Sequence, residues 1–134
     1  MDRICYKVVD QPYWPNKAYC SAMHKSLPID FILEYKLGMK TMPIRGKIFV
    51  FSSLEEAKYF GSNDWFNMYH WLILKGVAER VGRVKYIGSC SDFFHCDDFW
   101  QMVKRKKSLR NKSFTKTSPK GTLSCVSFTP TEIV

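Results

Sequence analysis

Eight cations fall between positions 104 and 120: Lys104, Arg105, Lys106, Lys107, Arg110, Lys112, Lys116 and Lys120, with no acid among them. The formal net charge of the chain is +9, so everything outside this segment is nearly neutral. Such a segment neutralises phosphates and releases counterions, and its binding to nucleic acid falls steeply with salt. Phe114 lies inside it and Trp100 just before it, and an aromatic ring there would stack on a base. The competing reading is a solvated basic loop that serves solubility or touches a protein. Lys104-Arg105-Lys106-Lys107 also fits a nuclear-import patch, a pattern too frequent to carry weight.

Other residues with chemistry to offer are less well arranged. Cys90-Ser91-Asp92-Phe93-Phe94-His95-Cys96 holds two thiols and an imidazole, with Asp97 and Asp98 beside them. Structural zinc sites use tighter Cys-x-x-Cys pairs, and no second pair follows. A loop with two half-buried cysteines and a capping aspartate explains the stretch as well. A cysteine nucleophile would need His24, His70 or His95 as its base, and nothing in the spacing brings them together. The expectation is therefore no catalytic residue, no metal and no cofactor. Tyr13 and Trp14, set between Pro12 and Pro15, are candidate contacts for a protein partner. Tyr13, Trp14, Trp65 and Tyr69 would alternatively wall a nucleotide pocket, although aromatics at such spacing are usually core.

The elements that must position these residues follow from composition and pattern. A chain of 134 residues, 46% hydrophobic and 16% aromatic, is expected to fold as one domain over residues 1–134, with a basic loop at 104–120. No apolar run is long enough to span a bilayer, and the first residues lack the apolar core of a signal peptide. The expectation is an intracellular, cytoplasmic protein without membrane contact. Five scattered cysteines, Cys5, Cys20, Cys90, Cys96 and Cys125, argue for reduced and mostly buried thiols.

Gly46 to Phe60 is the organising stretch. Ile48 to Phe51 reads as a strand buried on both faces. Ser52 and Ser53 are each followed three residues later by a glutamate, so either register makes a helix capping box. Leu54, Ala57 and Phe60 give the helix an apolar side, and Gly61 ends it. Ile4 to Val9 and Ala18 to Met23 read as an antiparallel hairpin, and Phe31 to Tyr35 as a third strand. Gly38 and Pro43 mark turns. Trp65 to Val81 fits either a helical stripe or a strand; a strand from about Tyr69 to Arg80, with a bulge at Gly76, is favoured. Arg83 to Ile87 reads as one strand and Thr122 to Phe128 as the last. Asp97 or Asp98 would cap a helix through Phe99, Trp100, Met102 and Val103 that leads into the basic segment. The expected fold class is α+β, a mostly antiparallel sheet with two short helices.

Several of these pieces together resemble a group of small, mostly uncharacterised proteins encoded by tailed bacteriophages and large DNA viruses. They are Tyr6-Lys7-Val8-Val9, a small-residue strand around Ser21, Leu33 to Gly38, Pro43 followed by Gly46 to Phe60, Phe99-Trp100, Pro119 to Thr122 and Ser127 to Pro130. The resemblance covers nearly the whole chain and is structural in kind. It implies a viral accessory protein, and it brings no catalytic residues with it. The function expected is non-catalytic binding of an anionic partner, whether nucleic acid, a nucleotide-type ligand or an acidic host surface, in the service of countering host defence. The element order also looks like that of ADP-ribosyltransferase-like domains, which would make the chain an enzyme acting on a nicotinamide dinucleotide. Arg3 and Ser21 match two positions of that pattern. The late Glu-x-Glu is missing, and Glu132 is expected past the last strand.

Overall fold

Residue types alternate along the first strand, and both sides of it are covered. β1 (Arg3–Asp10) turns Cys5 and Val9 to one side and Tyr6 and Val8 to the other. The computed structural model describes residues 2–10, 19–21, 33–44, 46–62, 71–88, 93–108 and 115–134, with backbone alone at 21, 88, 93–98 and 115–116. After β1 come β2 (Tyr19–Ser21), β3 (Glu34–Tyr35), β4 (Ile48–Phe51), α1 (Leu54–Gly61), β5 (Trp71–Glu79), β6 (Gly82–Arg83) and β7 (Tyr86–Gly88). The chain continues through α2 (Phe93–Lys104), β8 (Thr115–Thr117), β9 (Thr122–Cys125) and β10 (Ser127–Ile133). Among the described residues this is a mostly antiparallel α+β fold with two short helices and a curled, half-barrel sheet.

The main sheet runs β10-β5-β1-β4-β9-β6, and β2 joins β1 with β3 beyond it. β9 and β10 stand at opposite ends of the β10-to-β9 order, yet a single residue, Val126, joins them. The sheet must therefore curl until those ends meet at one corner. The N–H of Val126 seals the corner by donating to the carbonyl of Glu79 at 2.9 Å. β5 admits β10 closely because it has Gly76 at the crossing; a side chain there would overlap the backbone of Thr129 and Pro130. The β10–β5 register slips between Pro130 and Glu132, so the bulge expected at Gly76 lies on the partner strand instead.

The inside of the curl holds Cys5, Val9, Ile48, Val50, Leu74, Cys125 and Phe128, all buried. Tyr35 of β3 crosses this side, its ring edge-on to Phe128 at 6.2 Å. The segment after β3 is fastened to β10: Thr41 and Phe128 exchange both backbone hydrogen bonds, and Gly38 N–H donates to the carbonyl of Pro130. Lys40 pairs with Glu79 at 2.6 Å, and Ser127 Oγ donates to the same carboxylate. On the outside, α1 packs Ala57 against Val8, Phe51 and Ile73. Ser53 is the N-cap of α1, its hydroxyl accepting from the N–H of Glu56 at 3.2 Å. Ser52 and Ser53 both donate to the Glu56 carboxylate, at 2.7 and 2.8 Å, and hold its pKa down. The register is therefore Ser53–Glu56, and Gly61 is the last helical residue, with Ser62 as the cap.

Four expected boundaries move. Arg83 to Ile87 is not one strand: β6 belongs to the main sheet and β7 to a separate ribbon with β8. α2 begins at Phe93, so Asp97 and Asp98 lie within the helix instead of capping it. The last strand is two, and the second runs on to Ile133, so Glu132 lies inside β10, 3.6 Å from Lys75. The segment 104–120 is not one loop, since it starts as the end of α2 and includes β8. The strand expected from Tyr69 to Arg80 is present as β5, its first two residues lying outside the described ones.

Candidate anion-binding surface

α2 sits between the two strands of the β7–β8 ribbon in sequence, and an aromatic anchor fixes it to the sheet. Phe99 is buried, edge-on to Phe49 at 6.2 Å. Trp100 stacks on Phe49 at 5.2 Å with 23° between the planes. Its indole lies over Gly46, whose φ of +71° and lack of a side chain both suit that position. The alternation of β4 makes this possible: Ile48 and Val50 face inward, while Phe49 meets α2 and Phe51 meets Phe60 of α1. Trp100 is thus part of the anchor and is not available to stack on a base.

The end of α2 is a closed turn. Lys107 N–H donates to the Met102 carbonyl at 2.9 Å and Lys106 N–H to that of Val103 at 3.1 Å, the paired bonds of a Schellman cap. Lys106 takes the left-handed position of that motif, with φ of 55°. Lys104, Arg105, Lys106 and Lys107 are all exposed around this turn. Cations here also complement the negative end of the helix dipole, a structural role worth about 0.3–1 kcal/mol at such sites. Lys120 is exposed beyond β8, and its charge helps to lower the pKa of Glu56. Lys116 lies on β8, opposite Ile87 of β7. Arg110, Lys112 and Phe114 fall outside the described residues, as do Tyr13, Trp14, Trp65 and Tyr69.

The remaining candidates do not assemble into a chemical site. Ser21 pairs with Val9, six residues along β1 from Arg3, which is about 20 Å at strand spacing. Those two are not brought together. Cys5, Cys20 and Cys125 are free and buried. Burial raises their pKa values, Cys20 to about 11 with help from the Asp10 and Glu34 charges and Cys125 to about 12. Thiols so placed stay protonated and are poor nucleophiles. Among the described residues no three His, Cys, Asp or Glu groups gather as metal ligands. Cys90 lies outside those residues, as do the side chains of His95 and Cys96. No helix among the described residues is long and apolar enough to cross a membrane.

Three features were not anticipated. The segment after β3 holds Leu37, Met39, Met42 and Ile44 exposed, Met42 and Ile44 by 64% and 75%, although its backbone is fastened to β10. Lys7 reaches across from β1 and donates to the carbonyl of Phe49 at 2.8 Å, with its ammonium 6.0 Å from the centre of the Tyr35 ring. A shallow cavity of about 390 Å³ also opens beside α1 and β5, where Trp71, Leu72 and Ile73 meet Lys58 and Tyr59. No protein-family model matches the chain, and no curated protein or solved structure is similar enough to it to count as a match.

Proposed function

We propose that the chain is a non-catalytic binding protein that docks an anionic partner, nucleic acid first, on the cations at the end of α2. The observation that carries this is the capped turn: four consecutive exposed cations held by a Schellman motif on a helix that Phe99 and Trp100 anchor to β4. Preorganised cations bind a phosphate backbone with less ordering cost than a free tail would. A role as a viral or phage accessory protein that counters host defence fits this reading and the residue pattern described above. Single-stranded RNA and duplex DNA of mixed sequence should both bind at about 50 mM salt and weaken steeply toward 200 mM. Replacing Lys104, Arg105, Lys106 and Lys107 by Ser should weaken all sequences alike and reduce the salt slope by about 3. Absence of binding at low salt would remove the proposal.

An acidic protein surface is the second reading, and the exposed Leu37, Met39, Met42 and Ile44 favour it. Cations Lys36, Lys40, Arg45 and Lys47 intersperse them, with no acid in that segment. Met39→Ser with Met42→Ser should then abolish capture of a host protein while leaving nucleic-acid affinity unchanged; the reverse pattern decides for nucleic acid. The enzymatic alternative is an ADP-ribosyltransferase-like layout, supported by the β1–β2 hairpin followed by a strand and a helix. The separation of Arg3 from Ser21 weighs against it. Release of nicotinamide from a nicotinamide dinucleotide, abolished by Ser21→Ala, would revive it.

A further inference from the structure

Lys7 is the cation that the anion-binding reading leaves unexplained. It lies in the middle of β1, between Cys5 and Val9, two of the most deeply buried residues of the fold. Its ammonium has the Phe49 carbonyl as its hydrogen-bond partner, and among the described residues no carboxylate pairs with it. A half-buried ammonium without a counter-ion is costly to a fold, which keeps such a group only where something compensates.

The sheet forks where Lys7 stands. One edge of β1 is paired with β5 along its whole length. On the other edge, β4 meets β1 at Tyr6 and β2 begins at Val9. Lys7 and Val8 therefore have no strand partner on that edge among the described residues. β4 leads away to β9, and β2 leads away to β3, whose Tyr35 ring stands near the amine. The side chain of Lys7 bridges this gap and retains part of its surface in solvent. It thus combines three properties: a fixed position, an apolar surrounding and a route to the outside.

We propose that Lys7 is an amine nucleophile at the sheet fork, and that it takes a small uncharged aldehyde or ketone as an imine. The neutral amine keeps one N–H on the Phe49 carbonyl and turns its lone pair to the incoming carbonyl carbon. The N–C bond forms as the C=O electron pair moves to oxygen, and that oxygen takes up the proton that nitrogen loses. Departure of the hydroxyl as water, carrying the second nitrogen proton and so ending the hydrogen bond to Phe49, leaves the C=N bond. No oxidant or reductant is needed. The apolar neighbours Val9, Leu74 and Tyr35 suit an uncharged ligand better than an anionic one.

Burial supplies the reactive form. It lowers the pKa of Lys7 from 10.5 to about 8, so far more of it is neutral at pH 7 than of an ordinary lysine. The titratable groups facing it are Cys5 from β1, Tyr35 from β3 and Cys125 from β9, with Lys47 acting on Cys125. Burial holds both thiols in their neutral form across this range, so neither offers a thiolate to restore the ammonium. β4 and β5 contribute Phe49 and Leu74, which do not titrate.

The test is competitive labelling of the full chain with propionaldehyde and cyanoborohydride at pH 7, followed by peptide mass mapping. Lys7 should be alkylated at least about tenfold faster than the exposed Lys36, Lys58 and Lys85, and its rate should level off above about pH 8. Lys7→Met should lose the fast phase and keep the slow ones. Labelling of Lys7 no faster than that of the surface lysines overturns the proposal, and wild-type mapping decides this even if the variant fails to fold. The serine variant of residues 104–107 should label at Lys7 as the wild type does, which separates this site from the nucleic-acid proposal.

Discussion

Lys7 and the cluster Lys104 to Lys107 are alike in having no carboxylate partner among the described residues, and they differ in everything else. The cluster is exposed, made by neighbours in sequence, and closed by hydrogen bonds within one helix turn. Lys7 is half-buried, and the groups around it come from β3, β4, β5 and β9, remote in sequence. Solvent screens each charge of the cluster, so its strength lies in number, and its partner must be another extended charge. A single desolvated ammonium acts through its environment, which changes its protonation and thus its chemistry. A count of cations finds the first kind of site and is blind to the second.

The interior can be broken most directly at the corner that closes the sheet. Phe128 is fully buried between Tyr35 and Gly76. Phe128→Ala should cost about 3–5 kcal/mol in urea unfolding, by loss of transfer energy and by the cavity left behind. An effect under about 1 kcal/mol would mean that the curl does not depend on this contact. Trp100→Ala, on the half-buried anchor of α2, should cost less and weaken nucleic-acid binding as the turn loses its fixed place.

Lys7→Met sharpens the contrast through pH. The folded pKa is depressed, so below pH 8 the folded state carries an ammonium that the unfolded chain solvates better. Stability tied to this group is lowest there and rises as pH climbs from about 8 toward 10.5. The variant should therefore be more stable than wild type at pH 7 by about 1–2 kcal/mol, after discounting partial exposure and the lost bond to Phe49. The gain should shrink as pH approaches 10. Cys5, Cys20 and Cys125, with raised pKa values, act in the opposite sense above pH 9; both proteins contain them, but Cys125 is coupled to Lys7, so the comparison is read below pH 9. A pH-independent difference would place the Lys7 ammonium in ordinary solvent.

A smaller effect tests how local α1 is. Ser53→Ala removes the N-cap and should cost about 1 kcal/mol. It should also raise the Glu56 pKa, followed by NMR titration, since Ser52 and Ser53 hold it down. The stability owed to that depressed pKa is present at neutral pH and is lost as pH falls through the carboxylate range. An unchanged Glu56 titration would leave Ser52 alone as its partner.

β1, β4 and α1 were legible in the sequence because their residue types and caps determine them locally, whereas the pattern of β5 fits a helical stripe as well as the strand it forms. The ribbon was not. Arg83 to Ile87 alternates like one strand, but Ser118 draws the chain aside, donating from its N–H to Lys85 and from its hydroxyl to Val84. α2 starts at Phe93, before its apparent cap, and its anchor, Phe99 and Trp100 on Phe49, is a contact invisible in the local pattern. Lys7 was missed for a related reason. In Tyr6-Lys7-Val8-Val9 a lysine reads as the solvent side of a half-buried strand. The curl of the sheet and the crossing of Tyr35 turn that side into interior, and α1 covers the other. The basic segment was legible as composition, whereas the rigidity of its first four cations depends on a turn that composition does not specify.

Lys106 is where backbone and charge pull against each other. The left-handed position of a Schellman cap is usually glycine, since a side chain there costs roughly 1 kcal/mol. Lys106→Gly should therefore stabilise the end of α2 by about 0.5–1 kcal/mol, read as slower amide exchange at Lys106 and Lys107. It should also lower nucleic-acid affinity and flatten the salt slope by somewhat under one unit, as the loss of a single phosphate contact requires. A gain in stability with no loss of affinity would mean that Lys106 faces solvent only, and that the partner is read by Lys104, Arg105 and Lys107. Equal stability of the two proteins would mean that the lysine side chain recovers elsewhere what its backbone conformation costs. The two readouts thus separate a cation kept for its charge from one merely tolerated by the turn.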